Sequence, residues 1–287
     1  MNRRFLAAVA AALTAATLGV AGSSARAASA PVPHRIVSIS PTATESLYAI
    51  GAGTQVIAVD ELSDYPKQAP RTKLSGYTPN VEAIASYKPD LVVLSFDPGG
   101  VAASLRKLKI RVLVQDAAKD LKGAYAQITA LGAVTGHKPE AAKVVATMKS
   151  KLARVVAAAP KSARGLTVYH ELTPDLYSAT SQTFIGRIYA MFGLRNIADA
   201  ADSTASGYPQ LSNEYVVAQS PALIVLADVK CCGQTASTVS SRPGWSNVTA
   251  VKTHAIVRAD DSLASRWGPR IVDFARGIGV ALRTAVR

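Results

Sequence analysis

The chain has 287 residues, of which 49% are hydrophobic, 18% charged and 6% aromatic, a balance that excludes disordered and collagen-like classes and supplies material for a buried core. Lys and Arg total 32 against 19 Asp and Glu, a formal net charge of +13; the basic residues are scattered without interleaved aromatics, so they read as a solvated exterior and no nucleic-acid partner is expected. Two adjacent cysteines exclude a disulfide-framework miniprotein, and His34, His137, His170 and His254, none paired at ligand spacing, exclude a histidine-built metal store.

Residues 1–27 read as a secretory signal, with Asn2-Arg3-Arg4 as the basic region, residues 5–20 as the apolar region and Ala25-Arg26-Ala27 as the cleavage site. A membrane anchor is the alternative reading, but the apolar run is shorter than the ~20 residues of a span. No cysteine follows that run, so no lipid anchor is expected. Cleavage removes Arg3, Arg4 and Arg26 and no acid, lowering the charge from +13 to +10. The product is expected to be exported and soluble, in the periplasm or another extracytoplasmic space, and its length suits two lobes.

Along the rest of the chain, residues 35–39, 55–59, 91–94 and 111–114 are short aliphatic runs separated by helix-length segments, the pattern of a parallel sheet with crossovers. In residues 139–159, Ala141, Val144, Val145, Met148, Leu152, Val155 and Val156 recur at helical spacing with Lys and Arg on the opposite face. That is one helix of about 30 Å. Residues 166–170, 223–226 and 255–258 then repeat the strand pattern. The expected architecture is α/β: an N-terminal lobe over 28–137, a linking helix over 138–160 and a C-terminal lobe over 161–287, with the helix as a stiff spine.

The two halves also share a local grammar. Glu82 and Glu214 each stand in the first turn of a short helix, with Asn80 or Ser212 as candidate N-cap; Pro89 or Pro221 ends the helix seven residues later, and an aliphatic run follows. Upstream, Ser75-Gly76-Tyr77 is matched by Ser206-Gly207-Tyr208. Two related lobes are the simplest reading. Thr42 and Glu45 stand at capping-box spacing, which gives Glu45 a structural role.

These residues resemble the periplasmic substrate-binding proteins of bacterial ABC importers, in the branch that carries cobalamin, haem and ferric siderophores. The resemblance runs over the whole chain after the signal and rests on Arg35-Ile36-Val37-Ser38, Pro41-Thr42-Ala43-Thr44-Glu45, Gly51-Ala52-Gly53, Ser63-Asp64-Tyr65-Pro66, Asn80-Val81-Glu82, Lys88-Pro89-Asp90-Leu91, Tyr208-Pro209-Gln210-Leu211-Ser212 and Trp267-Gly268-Pro269-Arg270. It implies a ligand held between two lobes that one long helix bridges, and a membrane permease as partner, the protein itself being a monomer. Glu82 and Glu214 are similar to the pair that such proteins present to importer arginines, the other reading being ordinary first-turn acids. Tyr77, Phe96, Tyr208 and Trp267, with Asp261 and Arg266, are the expected ligand contacts, since aromatics suit a large, flat, amphipathic molecule. Phe96, Tyr208 and Arg266 resemble contacts of cobalamin-binding members. Tyr77 resembles an iron-ligating tyrosine of haem-binding members, but Pro79 replaces the arginine that usually follows it. Cobalamin is therefore the expected cargo, with haem or a ferric siderophore as alternatives. No resident metal or cofactor is expected, and Tyr77 would ligate iron only if the cargo is haem.

For Cys231 and Cys232 the expectation is a vicinal disulfide that stiffens a loop near the cleft. Consecutive α-carbons are about 3.8 Å apart, below the usual disulfide range, but the compartment is oxidising. Free thiols, a soft-metal site and intermolecular pairing remain open. No G-x-S-x-G, H-E-x-x-H or P-loop pattern occurs, so the chain reads as a binding protein and not an enzyme, with an exported hydrolase or a ligand sensor as the rival classes.

Overall fold

The computed structural model describes residues 31–287, so the signal proposed for residues 1–27 lies outside the described residues. In the first lobe, β1 (Ile36–Ile39), β2 (Val56–Val59), β3 (Leu91–Leu94) and β4 (Arg111–Val114) form a parallel sheet in the order β2-β1-β3-β4. Its crossovers carry α1 (Pro41–Ala49), α2 (Val81–Ser86) and α3 (Val101–Lys107), and α4 (Leu121–Thr135) follows the last strand. Every residue of β1 and β3 is buried, as expected for central strands covered on both faces, where continuous aliphatic runs replace alternation.

The helix α5 (Lys138–Ala157) then runs unbroken, with Pro139 in its first turn where its missing N–H costs nothing. Ala141, Met148 and Leu152 are its buried residues, and α4 packs along it. Beyond it, β5 (Thr167–Glu171), β6 (Arg195–Asn196), β7 (Leu223–Leu226) and β8 (Ile256–Arg258) form a second parallel sheet in the order β6-β5-β7-β8. Both lobes therefore use one topology. The helices of the second lobe are α6 (Phe184–Met191), α7 (Asn213–Gln219), α8 (Val229–Cys232), α9 (Ala236–Ser240), α10 (Thr249–Lys252), α11 (Asp261–Ser265) and α12 (Ile271–Ala285).

The internal likeness extends to hydrogen bonds. Asn80 Oδ1 accepts from the Ala83 amide at 2.8 Å to cap α2, and Ser212 Oγ accepts from the Tyr215 amide at 3.1 Å to cap α7. Past those helices Lys88 (φ 49°) and Ser220 (φ 41°) both turn left-handed immediately before the proline. The Tyr77 and Tyr208 amides donate to Ser75 Oγ and Ser206 Oγ at 3.3 and 3.1 Å. One apolar cluster joins the lobes, running from Ile36 and Leu91 through Met148 and Leu152 to Leu223 and Leu282, while a smaller cluster around Val37, Ile84 and Leu105 fills the other face of the first sheet.

Candidate ligand cleft

In the order β2-β1-β3-β4 the chain reverses direction between β1 and β3, and open α/β sheets hold ligands at the carboxyl ends of strands flanking that point. A cavity of about 430 Å³ lies there, walled by Asp60, Tyr77 and Phe96 of the first lobe and by Cys231, Asp261 and Trp267 of the second. Tyr77 is 70% exposed and Phe96 38%, so both leave aromatic surface open to whatever enters. Arg266 also lines the cavity. Tyr208 does not, and stays exposed on its own loop in the second lobe.

Both terminal nitrogens of the Arg266 guanidinium are engaged within the protein. Its guanidinium donates to Glu45 Oε1 at 2.9 Å and to the Leu62 carbonyl at 2.7 Å, and it stands 2.8 Å from Asp64 Oδ1. This joins the second lobe to the first. Arg270 adds a bond to Glu45 at 3.2 Å and lies 4.0 Å from the ring centre of Tyr65. Trp267 donates from Nε1 to Gln127 Oε1 at 2.7 Å and packs edge-on against Phe184. The segment expected to hold ligand is thus also the pin between lobes.

One reading needs correction. Glu45 is not part of a capping box: α1 is capped by Ser40, whose Oγ accepts from the Ala43 amide, and Pro41 at the first helical position fixes the start there. Glu45, 3% exposed, faces Arg266 and Arg270 instead. Burial raises its pKa despite both arginines. Asp261 lines the cavity as expected, and its carboxylate accepts from the main-chain amides of Lys230 and Cys231 at 3.0 and 2.8 Å.

Asp60, Asp64 and Lys230 carry no assignment in the sequence reading. Asp60 follows β2 directly and is fully buried; its Oδ1 accepts from the Leu62 amide while Oδ2 has no hydrogen-bond partner, and burial raises its pKa to about 6. An acid placed immediately after an aliphatic strand is the signal that could have found it. Burial works to raise Asp64 as well, but Arg266 and Lys230 hold it below the usual carboxylate range. Lys230 Nζ reaches Asp260 at 2.6 Å and Asp64 at 3.6 Å.

Cys231 and Cys232 are joined by a disulfide. Behind that turn, Arg242 forks onto Glu171 at 2.6 and 2.7 Å, and burial together with the charge of Glu171 raises the pKa of Asp228. His170 is enclosed between Tyr189 and Phe274, and burial lowers its pKa to about 3, so it stays neutral. Glu82 and Glu214 are exposed on the first turns of α2 and α7, and among the described residues neither carboxylate has an ion-pair partner. A second cavity of about 700 Å³, between α1, α5 and the start of α12, contains none of the expected ligand contacts.

The model of a family described as periplasmic binding protein matches residues 36–263. The chain belongs to this family. Among its relatives is an ABC transporter substrate-binding lipoprotein, YvrC, of Bacillus subtilis, 32% identical over 84% of this chain and 77% of that protein. A cobalamin-binding protein of Halobacterium salinarum is also 32% identical, over 84% of this chain and 67% of its own length. In the family fold, the periplasmic haem-binding protein RhuT from Roseiflexus superposes with a TM-score of 0.76 at 22% identity, covering 88% of this chain and 99% of that one. The two-lobed architecture described above is the family's fold. Among the described residues no helix is long and apolar enough to cross a membrane.

Proposed function

We propose that this periplasmic binding protein captures a large metal-chelate nutrient, a corrinoid, in the cleft between its lobes and delivers it to an ABC permease, without chemistry of its own. The observation that carries the reading is the cavity at the strand ends, where Tyr77, Phe96 and Trp267 converge from both lobes. Exposed aromatic side chains bind a broad amphipathic macrocycle by stacking and apolar contact. Arg266, whose terminal nitrogens are both engaged within the protein, serves as wall and pin in this reading, and Tyr208 contributes only once ligand extends beyond the cavity. The cobalamin-binding relative, matched over most of this chain, favours a corrinoid. Haem is the second reading, favoured by the exposed phenol of Tyr77 at the cleft.

Glu82 and Glu214 are the docking residues in this proposal. Two exposed, unpaired carboxylates at equivalent places on the two lobes orient the protein on a basic permease surface and lose little hydration until contact. Export by a cleaved signal and function as a monomer complete the reading.

Titration of the purified protein, stripped of ligand, with cyanocobalamin, haemin and ferric siderophores tests the cargo. Submicromolar binding of cyanocobalamin is expected, followed by tryptophan quenching; a shifted Soret band with haemin would replace it with the haem reading. A folded protein that binds none of them overturns the proposal. Charge reversal at Glu82 and Glu214 is expected to abolish uptake and leave affinity intact, and unchanged uptake would remove the docking assignment.

A further inference from the structure

The Cys231–Cys232 disulfide occupies an unusual place for a cross-link. Loop-closure stabilisation grows with the length of chain enclosed, and neighbouring residues enclose almost none, so this bridge adds little to global stability. Its effect is local, because the bond closes a small covalent ring that includes the peptide bond and so restricts the backbone of one turn. That turn is α8, exposed on the cleft wall, where Cys231 faces the cavity with Tyr77 and Phe96.

The same turn is tied to the lobe interface on both sides. The Asp261 carboxylate accepts from the amides of Lys230 and Cys231, which fixes α8 against α11. From α8, Lys230 Nζ extends to Asp260 and on to Asp64 of the first lobe. Asp64 also meets Arg266 at 2.8 Å and Ser262 Oγ at 3.5 Å. Lys230 thus completes a set of contacts from the second lobe that converge on one carboxylate of the first, and the disulfide sets the backbone from which it reaches.

We propose that the Cys231–Cys232 disulfide is a redox-controlled clasp of the cleft. In the oxidised state it holds Lys230 in reach of Asp64 and presents Cys231 as cleft wall; reduction by a dithiol frees the turn and weakens ligand binding. In that step one thiolate of the reductant attacks a cysteine sulfur, the Cys231–Cys232 bond breaks, and the second thiolate displaces the mixed disulfide. Two electrons and two protons pass to the protein, which gains two thiols, and the reductant leaves as its own disulfide. Exposure of both cysteines gives the reductant access. The affinity arm of the test rests on the corrinoid reading above; the clasp itself does not.

Cyanocobalamin affinity of the purified protein is measured oxidised, after dithiothreitol, and after reoxidation. Loss of one partly exposed ion pair is worth a two- to fivefold change, so a reversible weakening of about that size is expected on reduction. The Cys231→Ser/Cys232→Ser protein should match the reduced form and ignore dithiothreitol. Lys230→Ala should bind more weakly and lose most of its response to reduction, which a purely structural bridge would not produce. Equal affinity in both redox states, or a full response in Lys230→Ala, overturns the clasp. If the oxidised protein binds neither cyanocobalamin nor haemin, the ligand reading fails and the clasp is judged by amide exchange without ligand. Faster exchange at Lys230 and Cys231 on reduction supports it, and unchanged exchange overturns it.

Discussion

Asp60 illustrates what a single buried carboxyl does to a binding cleft. Its Oδ2 lies against Gly76, where an added Cβ would stand 3.2 Å away, and it has no hydrogen-bond donor. Burial therefore favours the protonated acid, and its folded pKa of about 6 exceeds the ordinary 3.8. A carboxyl raised in the fold contributes stability that is complete below its unfolded pKa and lost as pH rises through the folded one. Asp60→Asn keeps the shape and removes the titration. The melting temperature of the variant relative to wild type is thus expected to increase from about pH 4 to about pH 7, most steeply near pH 5, midway between the unfolded and folded values; a difference that stays flat across that range would show that Asp60 does not titrate so. At this scale the sequence was only partly readable. Phe96, Trp267 and Tyr77 were legible as cleft aromatics because Phe96 sits just beyond a strand, Trp267 in a family motif and Tyr77 in a triplet that both halves repeat. The partners of Arg266 were not, since Glu45 lies 221 residues away in the chain and local spacing carries no trace of such a pair.

The short helices α2 and α7 show how much an element owes to its ends. Each is too short to persist on propensity alone, and each is defined by an N-cap, an acid in the first turn and a left-handed residue before proline. Replacing Asn80 by Ala leaves the Ala83 amide without its acceptor and is expected to cost about 1 kcal/mol. Lys88→Gly acts in the opposite sense, because a side chain at positive φ costs about 1 kcal/mol that glycine avoids; part of that gain is returned through the freer unfolded chain. Urea denaturation of the two variants should therefore bracket wild type, and a destabilised Lys88→Gly would contradict the argument. These elements were readable in advance because proline, cap and aliphatic run recur at one spacing in both halves. β6 was not, since two residues, Arg195 and Asn196, give no periodicity, and only pairing with β5 defines them.

Across the molecule, the lobes are joined both by α5 and by the pins that Arg266, Trp267 and Arg270 drive into the first lobe. A continuous helix resists bending, and the Glu45–Arg266 contact is nearly dry, with side chains 2% and 10% exposed. Breaking a buried pair leaves a carboxylate without its charge partner, at a cost of about 3–5 kcal/mol; Arg270 remains beside Glu45, so Arg266→Ala is expected near the lower end. A protein held this way has little closure left to make. Wild type should therefore give the same radius of gyration with and without saturating cyanocobalamin, close to the roughly 18 Å of a compact chain this long. Arg266→Ala, with its lobes less firmly joined, should be larger without ligand and contract on binding. Small-angle scattering distinguishes the cases: contraction of wild type on binding would mean that the pins open in solution, and an unchanged Arg266→Ala would assign the lobe geometry to α5 alone.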